Sequence, residues 1–213
     1  MNSHPDPTGL RARRTWWPSA ASCAFTASGQ EIVSFGLGLY VSSAAAREHA
    51  ALLNIEFMIA EFMIAVIGTA AAARALWGVG QRQQAVAPVS ARLGQWAVAT
   101  FVVVSGLLLF VLMTAEAFGV WTAGGVGNWV FQVPLIPLTL AFGCLGWASR
   151  GDSGPRQRWA SGGLLVVAMF SVFSVIWARF GLQTGQHWLW LASLHTALDA
   201  ATWAAVGAWL RTP

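Results

Sequence analysis

Six long apolar runs, at about 19–45, 50–73, 95–119, 128–148, 159–179 and 186–210, occupy most of this 213-residue chain. A helix needs about 20 mostly apolar residues to cross the roughly 30 Å hydrocarbon core of a bilayer, and each run meets that length. Charged residues make up only 9% of the chain, against roughly a quarter of a soluble domain. That is too little charge to cover a water-facing surface, and too much apolar content for disorder, whose signature is low hydrophobicity with high charge. The period-2 alternation of a membrane β-barrel is absent. The expected fold class is therefore all-α, a polytopic membrane helix bundle of six spans, with seven as the alternative count. Connections between runs are short, so residues 1–213 read as a single integral-membrane domain in the cell membrane.

The arginines orient this bundle. All 12 basic residues are Arg, and they lie between the apolar runs instead of forming one patch. The net charge of +4 is thus no mark of a nucleic-acid partner. With six spans and a cytoplasmic N-terminal segment over 1–18, the inner side holds Arg11, Arg13, Arg14, Arg74, Arg82, Arg92, Arg150, Arg156, Arg158 and Arg211. The outer loops hold only Arg47 and Arg179. Such a bias sets topology by the positive-inside rule and puts both termini in the cytoplasm. Arg13-Arg14 before an apolar run is faintly like a twin-Arg export signal. The run that follows contains Gln30 and Glu31 and lacks a convincing cleavage site, so it reads as an uncleaved first span. Segment 74–94, with Gln81, Arg82, Gln83, Gln84 and Pro88, reads as a polar inner loop without a site. Twelve of the 13 Trp fall at or near span ends, as interfacial aromatic belts require, and Trp203 alone lies inside a span. Cys23 and Cys144 sit in apolar runs without metal-ligand spacing and read as packing residues.

Ionisable residues inside the spans are costly, so they mark the place to look for function. They are Glu31, Glu56, Glu61, Glu116, His195 and Asp199, and no Arg lies near the centre of any span. A carboxyl group held in a low-dielectric site without a cation favours its neutral form, which can donate a proton or a hydrogen bond. At about 1.5 Å per residue, Glu61 lies roughly 16 Å into the second span and Asp199 roughly 20 Å into the sixth, both near mid-membrane. Glu31 is at similar depth, whereas Glu116 reaches the outer end of its span. Residues 56–65 repeat Glu-Phe-Met-Ile-Ala twice, so Glu56 and Glu61 compete for one role. Five residues is about 140° around a helix, so the two cannot both face one site. Asn54 shares a face with Glu61, which makes Glu61 the preferred acid. On the sixth span His195, Asp199 and Trp203 follow i, i+4, i+8 and form one stripe. Polar residues gluing helices together would give the same stripe.

Acids, aromatics and no visible metal-ligand set point to proton-initiated chemistry on a lipophilic substrate. Phe57, Phe62 and Trp203 offer ring faces that attract cations, more strongly where water is excluded. An Asp-rich diphosphate motif such as DDxxD is missing, so ionisation of a prenyl diphosphate by Mg²⁺ lacks its metal-holding carboxylates. Protonation of an alkene or an epoxide remains.

Ile59-Ala60-Glu61-Phe62 and Leu198-Asp199-Ala200, with the run Arg150-Gly151-Asp152-Ser153-Gly154 after the fourth span, carry a resemblance. Together they resemble the small integral-membrane terpene cyclases of fungal meroterpenoid pathways and their bacterial relatives. Members have a Glu in an early span, within a motif like Asn-x-x-Trp-Glu, and an Asp in the last span. They also have an Arg-Gly-x-Ser-Arg-Gly loop after a span. Gln30 and Tyr40 are loosely similar to first-span residues of the family. Here Ala60 stands in the place of the motif Trp, Phe57 in that of the Asn, and the second Arg of the loop is missing. Glu56, two residues after Asn54, is the other match. Fungal members read as seven spans, whereas the arginines here favour six.

The resemblance implies a metal-independent cyclase that uses no cofactor. Glu61 would protonate the substrate, with Glu56 as the alternative acid, and Asp199 would assist. Asn54, Phe57, Phe62, His195, Trp203 and Glu31 would line the substrate pocket. The implied substrate is a prenylated, in the first instance farnesylated, small molecule taken from the lipid bilayer, and a prenyltransferase of the same pathway is the implied partner. Two other classes use the same residues. A proton-coupled transporter would use Glu61 and Asp199 as a relay. A haem- or quinone-binding electron-transfer subunit would need a second axial ligand, and His195 is the one His well inside a span, with His49 and His187 near outer ends.

Overall fold

Residues 19–41, 44–117, 133–151, 154–179 and 186–212 are described by a computed structural model, with side chains placed for 19–37, 63–111, 114, 133–151, 154–173 and 191–212. These residues form six α-helices and no strand: α1 (Ala20–Val41), α2 (Ala44–Gln83), α3 (Pro88–Ala117), α4 (Leu135–Ala148), α5 (Pro155–Arg179) and α6 (Gln186–Leu210). The punctuation is local chemistry. Ser19 caps α1, its Oγ accepting from the Ser22 backbone N–H at 3.1 Å. Pro88 and Pro155 open α3 and α5 at the first helical position, where a missing N–H costs nothing.

The expected polar loop over 74–94 is corrected by this structure. The α2 helix continues through Gln83 and α3 begins at Pro88, so the connection is four residues long. Ala, Leu, Arg and Gln are strong helix formers whatever their polarity, and the glycines in the stretch, Gly78, Gly80 and Gly94, serve packing. A Cβ on Gly78 would meet the Ala20 Cβ, and one on Gly80 would lie 2.6 Å from Gln95 Cγ. α5 and α6 coincide closely with their apolar runs and α1 covers most of the first, whereas α3 begins seven residues before its run and α4 covers only 135–148 of the fourth, residues 128–132 lying outside the described residues.

Consecutive helices pack on one another from α1 to α6, and α6 closes the ring on α1, with α2 also touching α4 and α6. Small residues make this closeness possible, since in lipid the drive for helix association is packing and not water exclusion. Ala71, Ala72, Ala73 and Ala75 line the buried side of α2, and Ala24 and Ala27 that of α1. Cross-helix pairs give the directions. Ala20 faces Gly78, while Gly94 faces Leu145 and Gly146 faces Leu164. Phe25 faces Gly207, and Arg82 reaches Thr212. Neighbours in the ring are therefore antiparallel, and the first and last described residues share one end of the bundle.

The seven described Arg side chains, Arg74, Arg82, Arg92, Arg150, Arg156, Arg158 and Arg211, belong to that same end. Arg74 starts deepest and runs its stem back toward it, with Nη1 beside Gly78. Arg82 donates to the carbonyls of Trp209 (3.1 Å) and Thr212 (2.8 Å), clasping the exposed end of α6, and lies over the Trp209 ring. The core behind this end is apolar and continuous, including Leu76, Val79, Val98, Leu145, Leu164 and Val206. Among the described residues, two helical segments, Met63–Gln83 and Pro88–Val111, are long and apolar enough to cross a membrane.

Candidate functional site

Halfway along the bundle the apolar packing gives way to polar side chains from α1 and α6. Asp199 is twelve residues from Arg211 and Glu31 twelve from Ser19, which puts both about 18 Å from the arginine-rich end. The two helices are joined at this level by Ser28, whose hydroxyl donates to the Ala200 carbonyl at 2.8 Å. Glu31 lies one turn beyond Ser28 and Asp199 one residue before Ala200, so the bond brings the two carboxyl groups within electrostatic reach of each other.

Asp199 is the more enclosed group of the α6 stripe, its side chain 12% exposed against 31% for His195. Its Oδ2 is 3.4 Å from His195 Nε2, but the pair is too poorly aligned for a hydrogen bond. Asp199 Oδ1 and His195 Nε2 are both buried without a hydrogen-bond partner among the described residues. Unsatisfied polar atoms at that depth are expensive. An acid and a base without a hydrogen-bond partner among the described residues are therefore available to something that binds.

Aromatic rings hold the stripe from two sides. The His195 ring stacks on Phe170 of α5, with centroids 5.1 Å apart and planes 18° from parallel. Trp203 packs on Phe142 of α4 at 5.5 Å and 58°, and both are almost fully buried. Gly163 on α5 lets Thr202 approach, since a Cβ there would be 2.6 Å from Thr202 Oγ1. On α1, Gln30 occupies the space left by Gly68 of α2 and donates to Ser34 Oγ at 3.1 Å.

Of the residues singled out in the sequence, Glu31, His195, Asp199 and Trp203 are thus gathered at one level. The helical backbone of α2 carries Asn54, Glu56, Phe57, Glu61 and Phe62, but their side chains lie outside the described residues, as do those of Tyr40 and Glu116. Glu61 is seven residues from Gly68, or roughly 10 Å along α2 toward the end away from the arginines. The Arg150-Gly151 motif falls on a 3₁₀ turn, Ser149–Gly151, at the arginine-rich end, and Asp152 and Ser153 lie outside the described residues. Among the described residues no three His, Cys, Asp or Glu side chains group as a metal site.

No family model, curated protein or solved structure matches this chain. The site must therefore be read from its own chemistry. Sequence reasoning missed Ser28, Phe142 and Phe170. Ser28 and Glu31 do share a helical face at i, i+3 spacing, which was the available signal, but the two phenylalanines carried none, because their partners come from other helices.

Proposed function

We propose that the protein is a multi-pass membrane enzyme that starts the cyclisation of a prenylated small molecule by proton transfer, without a metal ion. The observation that carries this reading is the Asp199 carboxyl at mid-depth, whose Oδ1 is buried without a hydrogen-bond partner among the described residues and whose Oδ2 lies 3.4 Å from His195 Nε2. Six spans and cytoplasmic termini are supported by the alternating ring and by the arginines at one end of it.

In the proposed reaction Glu61, or Glu56 in its place, delivers a proton to the terminal alkene carbon or the epoxide oxygen. The acid's O–H bond breaks; on an alkene the π electrons form the new C–H bond, on an epoxide an O–H bond forms and the ring C–O bond breaks, and either step leaves a tertiary carbocation on the prenyl chain. Neighbouring double bonds close the rings, and loss of a proton to a base ends the sequence. Asp199 assists, and His195 or Asp199 takes up the final proton. The faces of Trp203 and Phe170 stabilise positive charge in a site that excludes water. General acid catalysis supplies about 10²–10⁴-fold, so holding the chain in a reactive conformer supplies the rest.

The test is turnover of a farnesylated aromatic substrate by purified Glu61→Gln, Glu56→Gln and Asp199→Asn proteins whose helicity is unchanged. Glu61→Gln and Asp199→Asn are expected to bind substrate without cyclising it. Full turnover by Glu61→Gln moves the acid to Glu56, and full turnover by all three removes the cyclase reading. The Glu31–Asp199–His195 sequence of groups favours a second reading, a proton relay in a transporter. Substrate-dependent proton uptake in liposomes with the substrate chemically unchanged is its signature.

A further inference from the structure

We propose that the exposed arginines flanking the α4–α5 connection, Arg150, Arg156 and Arg158, bind the headgroup of an anionic phospholipid. This rests on the membrane reading but on no part of the proposed chemistry.

The argument begins with charge. Arg92, Arg150, Arg156 and Arg158 are exposed, and no described side chain forms a salt bridge with any of them. The turn's sequence from Arg150 to Arg158 holds three arginines against one acid, Asp152, which lies outside the described residues. Two of these arginines stand in the opening turn of α5, where the helix dipole disfavours cations. The fold therefore concentrates positive charge where no described side chain neutralises it.

Packing keeps this charge together. Gln157 is buried and donates through Nε2 to the Ser149 carbonyl at 2.9 Å, tying the first turn of α5 to the 3₁₀ turn that carries Arg150. The α2–α3 connection reaches the same place, since a Cβ on Gly151 would lie 3.8 Å from Val86 Cγ1. Arg150 lies with its guanidinium 4.6 Å from the centre of the Trp147 ring. A guanidinium stacked by its face keeps its N–H edge for acceptors, the geometry that suits phosphate oxygens.

The apolar surroundings identify the source of that phosphate. Trp147 and Trp159 are 61% and 77% exposed, three residues before Arg150 and one residue after Arg158. Indole rings at this level belong at the headgroup–acyl boundary, so an occupant must offer an anionic head with acyl chains beneath it. A diacyl phospholipid such as phosphatidylglycerol has that form, and soluble phosphate does not.

The experiment uses the purified full chain, reconstituted into nanodiscs of phosphatidylcholine with a minor share of phosphatidylglycerol, followed by native mass spectrometry of the retained lipid. The wild type is expected to retain phosphatidylglycerol over phosphatidylcholine. Arg156→Gln/Arg158→Gln is expected to lose about 25-fold of that preference, each arginine near an anionic surface being worth about fivefold. Arg47→Gln, at the opposite end of the ring, is expected to leave it unchanged. As a measurement on unmutated protein, the preference should weaken in about 1 M salt, where screening is short-ranged. Equal retention of the two lipids by the wild type overturns the proposal, as does a preference that the double variant keeps. Displacement by millimolar inorganic phosphate overturns it in favour of a soluble anion site. Protein that washes off vesicles in alkaline carbonate fails the membrane reading as well, which separates that failure from loss of lipid preference in an inserted protein.

Discussion

The Ser28 hydroxyl donates to the Ala200 carbonyl across 2.8 Å, although the two residues are 172 apart in sequence. This bond sets the register between the first and last helices, and with it the proximity of Glu31 to Asp199. Where the backbone is already bonded within a helix, a side-chain hydroxyl is the available cross-link, and between membrane helices such a bond is worth about 0.6 kcal/mol and at most about 1.7.

Ser28→Ala is therefore expected to leave the bundle folded, with stability lowered by about 0.5–1 kcal/mol. Thermal unfolding in detergent checks this. A loss of several kcal/mol would mean that α1 is held to α6 by this bond and little else.

His195→Phe keeps a ring to stack on Phe170 and removes both nitrogens. Under the proposed chemistry its melting temperature is expected to stay near that of the wild type while turnover falls at least about 100-fold, the lower range for a lost proton-transfer group. Unchanged turnover would leave His195 as a packing residue alone.

Glycines sort by what faces them. A Cβ on Gly207 would lie 2.8–3.0 Å from three atoms of the Phe25 ring, and one on Gly163 would lie 2.6 Å from Thr202 Oγ1. Neither the ring, held under Arg211 at 4.5 Å, nor the short β-branched Thr can swing away easily. Gly207→Ala and Gly163→Ala should each cost about 1–3 kcal/mol through overpacking. Gly36→Ala, with no described atom within 4 Å of the added carbon, should be neutral or slightly stabilising in the same melting assay. Gly68→Ala displaces only the flexible end of Gln30 and should fall between them.

Arg82 holds the last turn of α6 by its fork of donors to the Trp209 and Thr212 carbonyls and to Thr212 Oγ1 at 3.2 Å. Arg82→Lys keeps the charge and loses the fork. Amide exchange in residues 209–212 is expected to speed up about tenfold, equivalent to about 1.4 kcal/mol and within the range for hydrogen bonds to a charged group. Exchange at the wild-type rate would show that the charge alone maintains the clasp.

How much of this was legible in advance follows from what each signal depends on. Hydropathy and arginine spacing are properties of the chain itself, because a membrane core selects for length and composition and a charged residue takes the same penalty in any fold. They gave the helical class, the approximate limits of α1, α5 and α6, and the short list holding Glu31, His195, Asp199 and Trp203. The same signals misplaced residues 74–83, since polarity marks loops only when the residues are poor helix formers, and Arg, Gln and Ala are good ones.

The tertiary structure decided the partners. Helical spacing puts His195, Asp199 and Trp203 on one stripe, but it says nothing about which helix faces that stripe. Closure of the ring through α1 and α6 brings Glu31 to Asp199, packing of α5 on α6 brings Phe170 to His195, and α4 supplies Phe142 to Trp203. Those choices rest on small-residue contacts such as Gly163 with Thr202 and Gly207 with Phe25, where a single Cβ would change the distance between helices. Sequence alone determined which residues the membrane would make costly, because that cost is paid residue by residue. Which of them share a site is a property of packing between helices, and packing exists only once the ring has closed.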